Sequence, residues 1–362
     1  MISDDPARER RVVFLNSNHA VMNRHPMTGK KVLGVSRNMT LLPTLSRQQS
    51  SMTRSLTTLL TDLIDYAGLF PPAKLDMARS VEEYNRARMG ESEFALGRFV
   101  CPVSRLAEFS GAASSLLPGT FARSGYREQA DAGGPWRLSV LFDGDLGADL
   151  DAIDAFNRHH STEEHGLALI DAAELKVVVP NGIDAALDEI PEDLYPFFEF
   201  PVNADCRGFV AALAGSAAGA KIRTGGITAA AFPTPAEVAR FLVACAQADV
   251  PFKATAGLHH PVRGPARLTY EHGAPSHTMH GFLNVFIGAA LVKVKGLDVE
   301  RAEALLADES PQSFKFGDDF LSWCGHGLDV GQVAAVREKF ALSFGSCSFS
   351  EPMNDLAQLG LI

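Results

Sequence analysis

From residue 97 onward the chain alternates short, almost continuously apolar runs with Ala- and Leu-rich stretches, and this alternation limits the folds open to it. The apolar runs are Gly97–Val103, Trp136–Asp143, Leu175–Val179, Pro196–Val202, Ala220–Thr224 and Pro251–Ala256, with weaker ones at Ser313–Phe316 and Phe344–Phe349. The intervening stretches Ser104–Leu116, Leu150–Asn157, Arg207–Ala217 and Thr234–Ala248 read as helices. Strands without strict in/out alternation suit a parallel sheet covered on both faces. About eight strand–helix units in about 310 residues predict an α/β fold of the (β/α)8 TIM-like barrel type. A doubly wound open sheet is the second arrangement. That fold usually carries a GxGxxG or Walker-type loop early, and none is present.

The barrel is expected to start near Met52, where Leu56, Leu59, Leu60, Leu63 and Ile64 recur at helical spacing. Residues 1–51 differ from the rest. They hold eight Lys/Arg against three Asp/Glu, many Ser and Asn, and no sustained periodicity or apolar signal-peptide core. They read as a disordered basic tail or as a start codon assigned too far upstream, with a basic targeting or interaction arm as the other reading. Residues 52–362 then form one domain.

Composition excludes several roles. Net charge is −10, and no basic stripe with interleaved aromatics occurs in the body, which argues against nucleic acid. The longest apolar stretch, Gly281–Val294, is too short for a membrane span and runs into Lys293 and Lys295. It reads as a core helix with Asn284 as its polar oddity. The five cysteines form no CxxC pair, so neither a disulfide framework nor a zinc ribbon is implied, and a reducing cytoplasm fits. A small, anionic molecule is the expected partner, and a homo-oligomer is compatible with the sequence.

Barrel enzymes work at the C-terminal ends of their strands. The polar residues expected there are Asp143, Asp145, Asn181, Glu199, Asn203, Lys221, Arg223, Thr224, Lys253, Thr255, His259 and His260. Among them Lys221 and Lys253 end successive strands with one helix between. Lysine is costly to bury unless it is paired or used. An amine kept from water beside a second cation has a depressed pKa and can attack a carbonyl as a Schiff-base nucleophile. The plainer reading is that one lysine pairs with Glu199 or reaches solvent.

The two segments carrying these lysines, Gly219-Ala-Lys-Ile-Arg-Thr-Gly-Gly226 and Val250-Pro-Phe-Lys-Ala-Thr-Ala-Gly-Leu-His-His-Pro261, resemble the paired-lysine region of the deoxyribose-phosphate aldolase family of class I aldolases. That family reads K-T-S-T-G, then a helix, then F-K-x-x-G-G. The likeness covers roughly one tenth of the chain. It departs at Ile222-Arg223, where small hydroxyl residues are expected, and at Gly257-Leu-His-His-Pro261. The resemblance implies that Lys221 is the Schiff-base lysine and Lys253 the neighbour that lowers its pKa, with no cofactor.

Other residues complete the expected site. Arg223, Thr224, Gly225 and Gly226 form a plausible anion cradle, with Thr255 and His260 also facing substrate. The alternative is a plain turn. Five of the eleven histidines fall within His259–His280, namely His259, His260, His272, His277 and His280. The Leu258–Met279 loop is long enough for a lid, and His259 is placed to act as an acid or base. A divalent transition metal held by Glu199 with His259/His260 is the alternative. Asp65-Tyr-Ala-Gly-Leu-Phe-Pro-Pro72 is read as a helix stop capped by Gly68 and Pro71 at the barrel's bottom, with Asp65 and Tyr66 facing the site as the other reading. Ser346 and Ser348, at the tip of a last strand, suit phosphate, and Cys347 reads as a buried structural thiol.

The expected function is a lyase or aldolase acting on a small oxygenated carbonyl compound, phosphorylated or not. Glu199 or His259 would move protons and Arg223 would hold the anion. A metal-dependent barrel lyase or hydrolase, and a barrel that binds an anionic metabolite without chemistry, are the alternatives.

Overall fold

The computed structural model describes residues 52–120, 134–201 and 205–362. Eight parallel strands close into a barrel. In chain order they are β1 (Ile64–Tyr66), β2 (Leu96–Pro102), β3 (Trp136–Leu141), β4 (Ala168–Lys176), β5 (Tyr195–Glu199), β6 (Gly219–Arg223), β7 (Phe252–Thr255) and, after an insertion, β13 (Ala341–Ser346). The order around the barrel is β1-β13-β7-β6-β5-β4-β3-β2, with β2 pairing back to β1. The expected (β/α)8 fold is therefore the observed one.

Helices cover the outside: α1 (Arg54–Leu60), α2 (Met77–Arg88), α3 (Leu106–Ala113), α4 (Leu146–His159), α5 (Asn181–Leu187), α6 (Arg207–Leu213) and α7 (Pro235–Gln247) precede or link the first seven strands. The clearest local code is at α7. Thr234 and Glu237 form a reciprocal capping box, Pro235 opens the helix, and Val238, Phe241, Leu242 and Cys245 are buried. The insertion between β7 and β13 holds the hairpin β8 (Gly264–Arg267) and β9 (Ser276–Met279), then α8 (Phe282–Lys295) and α9 (Val299–Ala307). A three-stranded antiparallel sheet follows, β10 (Phe314–Phe316), β11 (Phe320–Trp323) and β12 (His326–Asp329), and then α10 (Val330–Lys339). The chain finishes with α11 (Ser350–Gln358). No helix among the described residues is long and apolar enough to cross a membrane.

Several boundaries differ from the expected ones, each for a physical reason. The helical spacing from Leu56 to Ile64 breaks at Asp62, whose φ of 50° ends α1 and lets Ile64-Asp65-Tyr66 become the first barrel strand. Asp65-Tyr66 is thus no helix stop. The run Leu175–Val179 is mostly past its strand. β4 lies earlier, through Asp171 and Glu174, because both carboxylates find cationic partners within the fold. Val178 and Val179 are 81% and 56% exposed instead. Ser313–Phe316 contributes β10 to the small sheet rather than to the barrel. The last barrel strand begins at Ala341, three residues ahead of the expected Phe344. Val202 and Asn203 lie outside the described residues, as does the basic segment 1–51.

The core helix expected near Gly281–Val294 is α8, buried on every side. Its Asn284 is fully used. The side-chain oxygen accepts from Arg263 N at 2.9 Å, and the amide donates to the carbonyls of Leu305 and Asp308 at 2.9 and 2.8 Å.

Arg337 on α10 fastens the end of the chain to its beginning. Its guanidinium donates to the carbonyls of Leu59 and Thr61 at 2.8 and 2.9 Å, and to those of Ala341 and Leu342. Burial holds its pKa down at about 10, so it remains charged at neutral pH. One cation thereby satisfies the carbonyls that close α1 and open β13, the segments flanking the seam between first and last strands. Arg337→Met should lower unfolding free energy by at least about 3 kcal/mol, because buried acceptors lose their donors together. Urea denaturation checks this, and an unchanged midpoint would show that the seam closes without Arg337.

Candidate functional site

Register puts charge inside the barrel. Glu199 pairs with Lys221, Lys221 with Lys253 and Lys253 with Ser343 across neighbouring parallel strands, so all four side chains share the inner face. Glu174 on β4 and Asp65 on β1 join them. The result is one chain of alternating charge. Lys253 Nζ donates to Asp65 Oδ2 at 2.7 Å and to Glu174 Oε1 at 2.6 Å. Lys221 Nζ lies 2.7 Å from Glu174 Oε2 and 2.6 Å from Glu199 Oε2. Arg223 Nη1 is 3.9 Å from the other oxygen of Glu199. Three carboxylates therefore alternate with three cations, and the row is neutral as a whole.

Neutral hydroxyls and backbone complete the deep end. Ser343 Oγ donates to Asp65 Oδ2 and Ser139 Oγ to Glu174 Oε1, each at 2.7 Å. Asp65 Oδ1 accepts from Arg98 N at 2.8 Å. Gly97 is required beside it, since a Cβ there would lie 2.4 Å from that same oxygen. The Lys253 ammonium also stands 5.3 Å from the centre of the Phe197 ring.

The two lysines are not equivalent. Lys253 is fully buried and directed by hydrogen bonds. Burial works against its charge, yet Asp65 and Glu174 outweigh that and raise its pKa above the ordinary lysine value. Lys221 touches two carboxylates, but its contact with Glu199 lacks hydrogen-bond alignment, leaving Glu199 Oε2 buried with no hydrogen-bond partner among the described residues. Lys221 also lines a cleft of ≈ 590 Å³ together with Glu174 and Lys176, bounded by Leu141, Phe142, Leu146 and Val177–Val179. The cleft opens over the C-terminal ends of β3 and β4. Lys253 does not reach it.

The expected site residues divide accordingly. Lys221, Lys253 and Glu199 come together, with Arg223 at their outer edge. His259 and His260 turn instead to carboxylates of α11, with Nδ1 of each at 3.1 Å from Glu351 and 2.6 Å from Asp355. They line a separate pocket of ≈ 220 Å³ with Arg223, Gly226, Arg267 and Tyr270. Arg223 is half-exposed there and lies outside the Lys221 cleft.

Thr224 is buried and spends its hydroxyl on the Ala256 carbonyl at 2.6 Å. Gly225 is packed against Gly257, where a Cβ would come within 2.8 Å of that residue's Cα, so this part of the expected cradle is filled by a neighbouring loop. Thr255, at the end of β7, sits against Gly345. Ser346 Oγ donates to the Ser348 carbonyl at 2.7 Å, and Ser348 Oγ accepts from Glu351 N, so both shape the turn into α11. Cys347 is buried, and burial pushes its thiol pKa up.

The rest of the histidine group disperses. His280 Nε2 contacts the Pro233 carbonyl at 2.7 Å, and burial lowers its pKa to about 4. His277 packs on the Phe232 ring, and His272 is exposed. Among the described residues no group of three or more His, Cys, Asp or Glu is placed to hold a metal ion. The Leu258–Met279 loop is the β8–β9 hairpin. It walls the smaller pocket, and Tyr270 near its turn donates to Glu351 at 2.8 Å.

Asp143, Asp145 and Asn181 stay apart from the charged row. Asp143 accepts from Ser104 N and Oγ, Asp145 caps α4, and Asn181 opens α5.

Sequence reading missed Glu174, Ser139 and Ser343, and it assigned Asp65 elsewhere. The available signal was a lone carboxylate inside an apolar run, in Ala172-Ala-Glu-Leu175 and in Leu63-Ile-Asp-Tyr66.

Glu174 sets the pH behaviour of the network. Burial alone would raise its pKa, but Lys221 and Lys253 outweigh burial and hold it well below the ordinary carboxylate range. Its stabilising contribution is therefore complete above the ordinary value of 4.5 and lost as pH falls below it. Lys253 acts oppositely. Its contribution is complete below 10.5 and lost as pH rises through its raised value. Glu174→Gln should cost about 3–5 kcal/mol at neutral pH, since two buried ammonium groups lose their shared counter-charge. It should also flatten the acid limb of stability against pH, measured by urea unfolding from acid to neutral pH. An acid limb identical to wild type would remove Glu174 as its source.

No protein-family model matches this chain, and neither a curated protein nor a solved structure shows significant similarity to it.

Proposed function

We propose that the protein is an enzyme of the lyase or aldolase type, acting on a carbonyl compound through a Schiff base at Lys221. The observation that carries this reading is the unequal treatment of two buried lysines. Lys253 is closed in by aligned hydrogen bonds to Asp65 and Glu174 and reaches no cleft, while Lys221 lines the cleft and its contact with Glu199 lacks hydrogen-bond alignment. The resemblance of the Lys221 and Lys253 segments to class I aldolases of the deoxyribose-phosphate type supports the same assignment.

The surroundings give each group a task. Lys221 is flanked by two carboxylates, Glu174 and Glu199. Glu199, at 2.6 Å, can accept one proton as a carbonyl carbon approaches, releasing the amine lone pair. The C–N bond forms, Glu199 passes that proton to the carbonyl oxygen, then takes a second proton from the nitrogen and delivers it to the same oxygen, and water leaves as the C–O bond breaks. The product is a protonated imine. It carries the same single positive charge as the ammonium it replaces, so Glu174 and Glu199 stabilise both without rearrangement. The imine can then accept the electron pair of an adjacent carbon–carbon bond while Glu199 takes the hydroxyl proton that cleavage releases.

Lys253 contributes in a way different from the one its spacing implies. Glu174 stands between the two ammonium groups and offsets their repulsion. Lys253 therefore orients Glu174, which in turn positions Lys221. Arg223 Nη1, 3.9 Å from the other oxygen of Glu199, helps hold that carboxylate oriented toward Lys221.

Borohydride reduction in the presence of small aldehydes and keto acids tests the reading. Intact mass should rise by one substrate residue, and peptide mapping should place the addition on Lys221. Lys221→Arg keeps the charge between Glu174 and Glu199 but offers no nucleophilic amine, so it should fold and give no adduct. Turnover without any reducible adduct, or an adduct retained in Lys221→Arg, would overturn the covalent reading. The first of these results would leave Lys221 and Glu199 as an acid–base pair.

A further inference from the structure

The cleft that reaches Lys221 carries chemical information of its own. Its floor is polar, formed by Lys221 and Glu174. Its walls are not. Leu141, Phe142, Leu146 and Val177 line it, and the exposed Val178 and Val179 extend the apolar surface to the rim. A site for a densely hydroxylated molecule would present hydrogen-bonding side chains along such walls, because each buried hydroxyl needs a partner. Here the wall offers mainly carbon.

Two further charged groups line the cleft, and one of them, Asp143, is already committed to Ser104 N and Oγ. Lys176 ends β4 and pairs in register with Glu199, on the same inward face as Glu174 two residues before it. It is exposed and has no ion pair or side-chain hydrogen bond among the described residues. Every other cation of the row, Lys253, Lys221 and Arg223, has a carboxylate partner. Glu174 and Glu199 are already engaged by those cations, which leaves Lys176 free to meet an incoming anion at the mouth.

We infer that the ligand of this cleft is an apolar carbonyl acid, with its carbonyl at Lys221, its carboxylate on Lys176 and a branched-chain or aromatic group against Phe142 and Leu146. This rests on the proposed Schiff base for the position of the carbonyl, but not for the apolar wall or for Lys176. It departs from the small oxygenated substrate expected from sequence and moves the anion-holding role from Arg223 to Lys176. Lys176 is a substrate-positioning residue in this arrangement.

The test compares three probes in the borohydride assay: 4-methyl-2-oxopentanoate, 3-methylbutanal and glyceraldehyde. The keto acid should half-saturate adduct formation at about one tenth of the glyceraldehyde concentration or less, the effect of burying a branched alkyl group. In Lys176→Met the preference for the keto acid over 3-methylbutanal should fall about tenfold, the size of one lost charge-assisted hydrogen bond. Adducts formed equally well from glyceraldehyde, or a preference unchanged in Lys176→Met, would overturn this inference and leave the Schiff base standing. If no probe gives an adduct, the non-reactive 4-methylpentanoate decides. Saturable thermal stabilisation that Lys176→Met removes supports the cleft assignment while the Schiff base falls. No stabilisation overturns both.

Discussion

The structure turns on one carboxylate between two ammonium groups. Glu174 uses one oxygen for Lys253 and the other for Lys221, at 2.6 and 2.7 Å. Without it, two lysines on adjacent strands in the same register would face each other inside a barrel nearly closed to water. Such like charges repel strongly where the surroundings are weakly polarisable. With it, charge alternates from Asp65 outward, and each member is neutralised by its neighbours. Phe197 fills inward-facing space beside the charges, while Tyr66 and Phe99 face outward onto Tyr84 of α2.

The architecture was readable because it rests on patterns that need no partner to be recognised. Apolar β-branched runs and intervening helices announce a parallel sheet wherever they recur. Capping at Thr234 and Glu237 marks a helix start by purely local chemistry. The failures occurred where a strand's character is set by something distant. β1 has only three residues, and its central one is Asp65, an acceptable strand residue only because Lys253, Ser343 and Arg98 N surround it. β4 contains Asp171 and Glu174, tolerable only because arginines and lysines from other strands meet them. Local pattern therefore placed this strand on Leu175–Val179, whose last three residues belong to the rim of a cleft.

The site was legible to the same degree. Lys221 and Lys253 were visible because lysine is conspicuous at the end of an apolar strand, and Glu199 because it follows such a strand directly. Their bridging partner was not, since nothing near Glu174 in sequence marks it as inward-facing once the strand is misplaced. A one-dimensional cluster also misled. His259 to His280 looks dense along the chain, but the β8–β9 hairpin spreads those residues over different faces, and each finds its own partner or solvent. Proximity in sequence signals shared chemistry only when the backbone between does not fold back on itself.

The row of charges is also graded, and the grading bears on reactivity. Side-chain exposure rises from 0% at Asp65 and 1% at Lys253, through 4% at Lys221 and 11% at Glu199, to 50% at Arg223. Hydrogen-bond alignment weakens in the same direction, from the directed contacts of Lys253 to the unaligned contact of Lys221 with Glu199. A group must give up its interactions in order to react, and the cost is greatest where they are buried and well aligned. The deep pair is therefore too tightly held to exchange protons readily. The outer pair, Lys221 and Glu199, keeps the same electrostatic support with less to surrender. The inner half of the network is therefore the more fixed, and of Lys253, Lys221 and Arg223 it is Lys221 that lines the cleft.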